Sequence, residues 1–279
     1  MIRVVTQACV GGAIGRIILD RPEKKNALTP EMIGRMVRGL RELGEDGKHG
    51  EEEKNTGGTP VPRSGETPRH AGGTPVPRVG AIVLEGEGAA FCAGFDLTLC
   101  RENSDAMDAL LTGLSGVIRV MRRSEVPIVV AAHGAAIAGG CALLGGADVV
   151  ITHHDAKIGY PVVRLGISPA VSASTFRLAV GDGKARERML DTALMSGWDA
   201  CRAGLAHECL EDAGKVRARA IAVAEQLAAK PRHGMAATKR WMGEVDGSFG
   251  PDSARALDAS LALVGSAEER ERLAALWKA

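Results

Sequence analysis

The chain has 279 residues, of which 45% are hydrophobic and 25% charged, a composition typical of a globular protein with one or two domains and a sizeable core. Its 35 Lys and Arg residues nearly balance 34 Asp and Glu residues, which excludes a broad electrostatic field that would steer nucleic acid or a membrane surface. Because the chain holds only four phenylalanines, three tryptophans and one tyrosine, aliphatic side chains must fill the core.

The cysteines and the amino terminus bear on the cellular compartment. The six cysteines form no CxxC pair, which argues against a metal site and favours buried free thiols in a reducing compartment. Residues 1–22 lack the layout of a signal peptide, and no apolar run reaches the roughly 18 residues of a membrane span. We therefore expect a cytoplasmic protein with no metal and no membrane partner. The cysteines are Cys9, Cys92, Cys100, Cys141, Cys201 and Cys209.

The first elements in the chain are a hairpin and a helix. β-Branched segments on either side of Gly11-Gly12 predict two paired strands. An amphipathic helix follows, with Thr29 as a natural N-cap and Pro30 at its first position. Apolar residues then repeat at helical spacing as far as Leu43.

The regular pattern stops over residues 46–79. This segment contains "GGTPVPR" at 57–63 and again at 72–78, and it has almost no large apolar side chain. Such a segment cannot bury enough surface to offset the entropy of ordering it. We therefore expect a disordered insertion in a surface loop, with a proline-rich docking motif as the alternative.

Strands and helices alternate after the insertion. A buried strand with a glycine-containing loop is predicted over 79–97, a polar helix from about Asp105 to Arg123, and further buried strands within 126–140 and 147–161. From about residue 183 the pattern is almost entirely helical. The repetition predicts a stacked α/β core over 1–198, followed by a helical region over 199–279 that covers the core or joins subunits.

Two glycine motifs each follow a predicted buried strand. They are "AFCAGFDL" at 90–97 and "AAIAGGCALLGGAD" at 135–148. A helix that opens on glycine offers free backbone N–H groups and the positive end of a dipole, which suit an oxygen carrying negative charge. The apolar run after Gly140 contains no acid, base or nucleophile. The sequence therefore predicts a site that binds a negatively charged oxygen and has no neighbouring group to transfer a proton.

Five segments together resemble the crotonase family, also called enoyl-CoA hydratases/isomerases. The resemblance covers nearly the whole chain outside 46–79, with the order and spacing of the family's motifs. The segments are "LDRPEKKNALTPEM", "IVLEGEGAAFCAGFDL", "PIVVAAHGAAIAGGCALLGGADVVI", "AKIGYPVVRLGISPA" and "ALMSGWDACRAGLAHECL".

The resemblance implies a spiral of ββα units with a helical C-terminal trimerisation region. It implies an acyl-CoA substrate, no cofactor other than coenzyme A as part of that substrate, and a homotrimer or dimer of trimers. It also implies an oxyanion hole formed by the backbone N–H groups of Phe95 and Gly139, which would polarise the thioester carbonyl. The residues expected to line the coenzyme A groove or contact substrate are Lys24, Lys25, Ala27, Ala93, Gly94 and Asp96.

The chain departs from the family at its acid positions. Relatives with hydratase activity carry two glutamates, whose positions match Ala142 and Val162, and some relatives use an acid at the position of Ala170. Water addition needs proton transfer at both carbons, and a positioned acid or base contributes about 10²–10⁴-fold. We therefore expect carbonyl polarisation without effective hydration.

Several other side chains are candidates for proton transfer. Tyr160 lies two residues before the missing acid at Val162, so it is either a catalytic acid or a core residue with a hydrogen-bonded hydroxyl. Asp96 either caps a turn or touches substrate. His133 is interpreted as structural, and adjacent histidines in a strand point to opposite faces and cannot chelate together. The remaining candidates are Ser168, His153 and His154.

Three hypotheses remain open from the sequence. The first is a lyase or isomerase that forms an enolate without a glutamate pair, for example by decarboxylating a malonyl-type thioester. The second is a catalytically inactive acyl-CoA-binding oligomer. The third is a true hydratase or isomerase, with acids that reach the site from other segments.

Overall fold

The computed structural model describes residues 1–44, 78–103, 105–247, 250 and 252–278. Within these residues the strands form two sheets, a six-stranded sheet in the order β1-β2-β3-β4-β6-β9 and a three-stranded sheet in the order β5-β7-β8. The strands are β1 (Ile2–Cys9), β2 (Gly12–Leu19), β3 (Val79–Gly86), β4 (Ile128–Ala132), β5 (Ala135–Ile137), β6 (Val149–His153), β7 (Lys157–Gly159), β8 (Met195–Ser196) and β9 (Glu208–Leu210).

The helices pack on both faces of the six-stranded sheet and extend beyond it. They are α1 (Pro30–Gly44), α2 (Leu99–Glu102), α3 (Ala106–Arg123), α4 (Gly139–Gly146), α5 (Ala173–Val180), α6 (Asp182–Leu190), α7 (Gly197–Arg202), α8 (Val216–Ala228), α9 (Arg232–Val245), α10 (Asp252–Leu261) and α11 (Ala267–Leu276). Short 3-10 turns lie at Pro22–Lys24, Val163–Leu165, Pro169–Ser172 and Ala213–Lys215.

The predicted hairpin and first helix are confirmed. β1 and β2 pair antiparallel, with Ile2 opposite Leu19 and Cys9 opposite Gly12. The hydroxyl of Thr29 accepts a hydrogen bond from the Met32 N–H at 3.2 Å, which satisfies one of the free donors in the first turn of α1. From β2 onward the strands of the large sheet are parallel.

Each face of the large sheet is covered by different side chains. On one face α8 packs with small residues, Ala220, Ala224 and Ala228, against Ile14 and Val83. On the other face α1 and α3 bury large aliphatic and methionine side chains within the main core. Since the sheet is buried on both faces, its parallel strands are continuous apolar runs, as expected for this architecture.

Three local expectations are corrected by the structure. The helix predicted as polar, α3, is amphipathic, because Leu110, Leu114 and Met121 recur on one face and are buried. The apolar segments after it each divide into two strands, β4 with β5 and β6 with β7, whose members belong to different sheets. The region after 183 also contributes β8 and β9, and β9 lies at the edge of the large sheet.

The predicted insertion falls mostly outside the described residues. Residues 46–77 are not described, whereas Val79 is already the first residue of β3, so the predicted segment ends too late. Among the described residues no helix is long and apolar enough to cross a membrane, and no group of His, Cys, Asp or Glu could hold a metal ion.

The cysteines are free, but fewer are fully buried than the sequence suggests. Only Cys92 and Cys141 are buried, and the other four are half-buried. Burial raises the pKa of Cys92 and of Cys141 to about 12, which keeps both thiols protonated and unreactive.

Candidate active site

The two glycine motifs meet beyond the carboxyl ends of β3 and β4. The Phe91 N–H donates to the His133 carbonyl at 2.9 Å, the Cys92 N–H donates to the Ala135 carbonyl at 2.9 Å, and the Ile137 N–H donates to the Cys92 carbonyl at 2.9 Å. These bonds place segment 90–97 beside the chain that leads into α4. In open α/β sheets this edge is where ligands bind.

The backbone N–H of Phe95 lies on the side of its segment that faces away from Leu28. Phe95 forms an isolated parallel bridge with Leu28, in which the Leu28 N–H donates to Gly94 O at 2.7 Å and the Asp96 N–H donates to Leu28 O at 2.9 Å. Such a bridge uses the groups on either side of Phe95 and leaves its own N–H pointing the other way. Within the described part of the chain this N–H has no hydrogen-bond acceptor.

The backbone N–H of Gly139 is a free donor at the start of α4. The first bond of this helix runs from the Ala142 N–H to Ala138 O at 2.9 Å, so the N–H of Gly139 precedes the helical ladder and lacks an intrahelical partner. Ala138 itself has φ 52° and ψ −111°, a conformation that costs an alanine about 1–3 kcal/mol. Its N–H donates to Gly159 O at 2.8 Å, which helps to hold that conformation.

The two segments approach each other closely at Gly94 and Gly139. A Cβ atom on Gly94, whose φ is +100°, would lie 3.1 Å from the Ile137 carbonyl oxygen and 3.8 Å from the Gly139 nitrogen. A Cβ atom on Gly139 would lie 3.1 Å from the ring of Phe95. A side chain at Gly94 would press against the backbone that leads into α4, whereas a methyl group at Gly139 would need only a small shift of the Phe95 ring.

A cavity of ≈ 220 Å³, here called the apolar cavity, adjoins these donors. Most of its wall is aliphatic, aromatic or proline, and Leu276 of α11 closes one side. Among the described residues its polar lining consists of Tyr160, Arg164, Ser168 and Ser172. The predicted site residues that line it are Ala93, Phe95, Gly139, Ala142, Tyr160, Val162 and Ser168.

The missing acid positions surround the same space. Ala142 and Val162 line the apolar cavity, and Ala170 lies between two residues that do. No Asp, Glu or His among the described residues lines the cavity. The wall therefore offers hydrogen-bond donors but no carboxylate or imidazole to act as a base.

Tyr160, the only tyrosine of the chain, is buried and lines the cavity. The residue is 2% exposed, and its ring packs edge-to-face against Phe176 with centroids 5.2 Å apart. Its hydroxyl makes no well-formed hydrogen bond among the described residues, although the Cys141 thiol and the Ser172 hydroxyl are near enough to influence its titration. Burial, and after it the neighbouring Cys141 thiol, raises the pKa of Tyr160 well above its usual value.

Asp96 supports the loop from outside the cavity. One carboxylate oxygen pairs with Arg21 at 2.7 Å, and the other accepts hydrogen bonds from the Thr98 hydroxyl at 2.5 Å and the Thr98 N–H at 3.2 Å. Burial alone would raise the pKa of Asp96, but the hydrogen bonds from Thr98 and Arg21 outweigh burial and hold it below its usual value. Asp96 therefore acts as a turn cap and an ion-pair partner.

The predicted coenzyme A residues Lys24, Lys25 and Ala27 lie on the loop that precedes α1, beside segment 90–97 and not in the cavity wall. The Ala93 N–H donates to Lys25 O at 3.0 Å, which joins this loop to the glycine motif.

Asn26, which is not among the predicted site residues, holds this loop together. It is fully buried with φ 56°, and its side-chain amide donates to Glu87 O at 2.9 Å and Ala90 O at 2.8 Å. An asparagine between a charged pair and an apolar run is a signal for such a left-handed turn. Arg164 lines the cavity but is likewise not among the predicted site residues. No local sequence pattern indicates which residues will line a cavity.

The histidines make structural hydrogen bonds. His133 Nε2 lies 2.9 Å from Gly88 O, and His153 Nε2 accepts from the Gly134 N–H at 2.9 Å. Burial lowers the pKa of His153, so it is neutral at physiological pH. His154 lies in the turn after β6 and not in the strand as predicted, and it packs edge-to-face against Trp198.

Comparison with known proteins gives one consistent result. The family model described as "Enoyl-CoA hydratase/isomerase" matches residues 76–266. A putative enoyl-CoA hydratase of Thermus thermophilus is 28% identical over 222 residues, which cover 78% of this chain and 75% of the relative. A probable enoyl-CoA hydratase of Bacillus subtilis is 36% identical over 155 residues, which cover 54% of this chain and 59% of the relative.

Solved structures share the fold. An enoyl-CoA hydratase/isomerase from Xanthobacter autotrophicus Py2 superposes with a TM-score of 0.78 at 22% identity, covering 99% of this chain and 93% of that one. An enoyl-CoA hydratase/isomerase from Mycobacterium paratuberculosis gives 0.77 at 23% identity and covers 97% of both chains. The predicted mixed α/β fold with a helical C-terminal region is thereby confirmed.

Proposed function

Because the chain belongs to the enoyl-CoA hydratase/isomerase family, also called crotonases, we propose that it binds an acyl-CoA thioester and polarises its carbonyl with the N–H groups of Phe95 and Gly139. One observation carries the proposal: two backbone donors without a partner among the described residues adjoin a cavity whose described wall contains no acid. In such a site the substrate, with coenzyme A as its carrier, would supply the acceptor that both donors lack.

The two donors would stabilise an enolate. When a bond at the α-carbon of a thioester breaks heterolytically, negative charge collects on the carbonyl oxygen. A fixed donor aimed at that oxygen is worth about 3–4 kcal/mol in a water-poor site. The start of α4 adds the positive end of its dipole. Strain stored at Ala138 fits this role, since pre-set donors need no rearrangement during the reaction.

The reaction that suits this wall is the decarboxylation of a malonyl-type thioester. The bond between the α-carbon and its carboxylate breaks, CO₂ leaves, and the electron pair enters the enolate, so no base is needed. The α-carbon then takes one proton, and the product is the shortened acyl-CoA. Water addition to an enoyl thioester would need acid and base groups where Ala142 and Val162 stand.

Tyr160 is the proposed source of that proton. Its raised pKa keeps the hydroxyl protonated at neutral pH, and no described residue forms a well-made hydrogen bond with the hydroxyl that would compete with the substrate. After it donates, the tyrosinate regains a proton from water, so the reaction consumes one proton overall. Lys24 and Lys25 would bind the phosphates of coenzyme A, and the helical region would join three copies of the chain.

A panel of acyl-CoA thioesters tests this function. The pure protein is incubated with enoyl, malonyl-type and saturated thioesters, and the products are identified by mass spectrometry. Loss of CO₂ from the malonyl-type thioester is expected. Addition of water to the enoyl thioester would contradict the interpretation of Ala142 and Val162, and release of free coenzyme A would indicate a hydrolase instead.

The acid-free wall also favours a second candidate, an acyl-CoA-binding oligomer without catalytic activity. That function would leave the whole panel unchanged while acyl-CoA binds stoichiometrically. Calorimetric titration with a saturated thioester therefore accompanies the mass measurement, so that binding without turnover is recognised.

A further inference from the structure

Arg164 is the only charged residue, among those described, that lines the apolar cavity. It lies at the centre of the 3-10 turn Val163–Leu165 and is exposed overall, which places it at the rim and not in the depth of the cavity. The remaining wall is aliphatic, aromatic or hydroxyl-bearing. A cation in this position gives an otherwise neutral cavity a preference for one sign of charge.

The guanidinium of Arg164 has no acidic partner in the described part of the chain. Helix α11 packs against its turn and carries three acids, Glu268, Glu269 and Glu271. Glu269 is buried, and its carboxylate accepts a hydrogen bond from the Gly265 N–H at 2.5 Å. None of the three glutamates lies within ion-pair distance of Arg164. By contrast, Arg188 on α6 pairs with two acids.

We propose that Arg164 binds a carboxylate of the acyl group, so that the substrate is the coenzyme A thioester of a dicarboxylic acid. This inference rests on the proposed function of the apolar cavity. A carboxylate that enters such a cavity loses hydration and needs a cationic partner. An arginine presents a planar set of donors that fits a carboxylate with two parallel hydrogen bonds. No other described residue in the wall offers a positive charge.

In this proposal Arg164 determines which substrate binds and does not accelerate the chemical step. The ion pair exists while the carboxylate is present and weakens as it becomes neutral CO₂. For an α-carboxylate, removing Arg164 should therefore raise KM and leave kcat unchanged or raised, because the lost contact is weaker in the transition state than in the ground state. If the carboxylate lies at the far end of the acyl chain, the contact is equal in both states, so KM should rise and kcat should stay unchanged.

The test compares thioesters with and without a second carboxylate. Calorimetry measures the binding of methylmalonyl-CoA, glutaryl-CoA and butyryl-CoA to the full-length wild-type protein and to the Arg164→Gln and Arg164→Lys variants. Arg202→Gln on α7 is the control, because it removes one exposed positive charge away from the cavity. Steady-state kinetics on any thioester that turns over separates KM from kcat.

Arg164→Gln should weaken the binding of a carboxylated thioester by about tenfold and that of butyryl-CoA by less than about twofold. Arg164→Lys should recover part of the loss. The more affected of the two carboxylated thioesters locates the carboxylate on the α-carbon or at the far end. Equal weakening of all three thioesters, or no weakening, would overturn the inference about Arg164 alone. Failure of the wild-type protein to bind any of them would overturn the proposed function as well.

Discussion

Two cavities at opposite edges of the large sheet differ in size and in chemistry. The apolar cavity, ≈ 220 Å³, lies beyond the carboxyl ends of β3 and β4. The second, here called the basic cavity, measures ≈ 660 Å³ and lies at their amino ends, between α1, α3 and α9. The arginines that line the basic cavity are Arg41, Arg78, Arg119, Arg123 and Arg232.

The larger volume and the charge of the basic cavity are not what distinguishes the proposed active site. The lining of the basic cavity contains neither a strained non-glycine residue nor a buried hydroxyl without a hydrogen bond, as far as the described residues show. Its Arg232 is occupied by the backbone carbonyls of Val79 and Gly44 at 3.2 Å each. The lining of the apolar cavity includes the strained Ala138, two N–H groups without a partner among the described residues, and Tyr160, whose buried hydroxyl has no well-formed hydrogen bond to them. The proposed active site therefore rests on unmet bonding capacity and not on volume.

The largest effect is expected from removing a donor at the apolar cavity. Gly139→Pro deletes the backbone N–H at the first position of α4, where a helix tolerates proline. Gly139→Ala adds a Cβ atom against the Phe95 ring but keeps the N–H, so it is the matched control. We expect the proline variant to turn over about 10²–10³-fold more slowly than the alanine variant, measured as kcat on the active thioester.

Circular dichroism and thermal unfolding of both Gly139 variants verify that the fold is retained. Equal turnover by the two folded variants would show that this N–H does not touch the reacting carbonyl, and the difference between the two cavities would then be one of polarity alone.

Tyr160→Phe should lower the activity of the protein and raise its stability. Loss of the proton donor should slow turnover by about 10²-fold, since a positioned acid contributes at least that much. The free energy of unfolding should rise by about 1 kcal/mol, because a buried hydroxyl without a well-formed hydrogen bond costs stability. The measurements are kcat in D₂O and H₂O together with urea unfolding. Lower activity with lower stability would indicate a packing role instead.

Asp96→Asn tests the support beneath Phe95. The pKa of Asp96 is lowered in the folded protein, so its ionised form stabilises the fold above the usual value of 3.8, and this contribution is lost as the pH falls through the folded pKa. We expect the variant to lose about 2 kcal/mol of unfolding free energy at pH 7, which is the range for hydrogen bonds to a charged group. Urea unfolding at several pH values should show that the difference in unfolding free energy between wild type and variant disappears below about pH 4. A difference that is independent of pH would exclude the carboxylate charge as its cause.

The smallest effect is expected at the basic cavity. Arg119→Gln removes one of several like charges around it, so unfolding free energy should rise slightly at low salt, and the difference from wild type should shrink at high salt. Turnover should change by less than about twofold, because surface substitutions away from a site are usually mild. A large loss of activity in this variant would show that the basic cavity also takes part in the reaction.

Local patterns in the sequence determined a large part of this protein. The hairpin follows from β-branched segments around Gly11-Gly12, and α1 follows from its cap at Thr29, because turn chemistry and periodicity act over a few residues. The apolar residues at Ala142 and Val162 are visible in the sequence once the motifs are aligned with a family. These features need no knowledge of which segments meet in space.

Only the tertiary structure decided which residues share the apolar cavity. The buried face of α3, the division of the apolar segments between two sheets and the approach of Gly94 to Gly139 depend on pairing between segments far apart in the chain. The missing hydrogen bond of Tyr160 and the place of Arg164 in the wall depend on the same pairing. Periodicity reports that a side chain is apolar or polar, but its partners are set by long-range packing. The chemistry of the site could therefore be read only after the fold had brought these segments together.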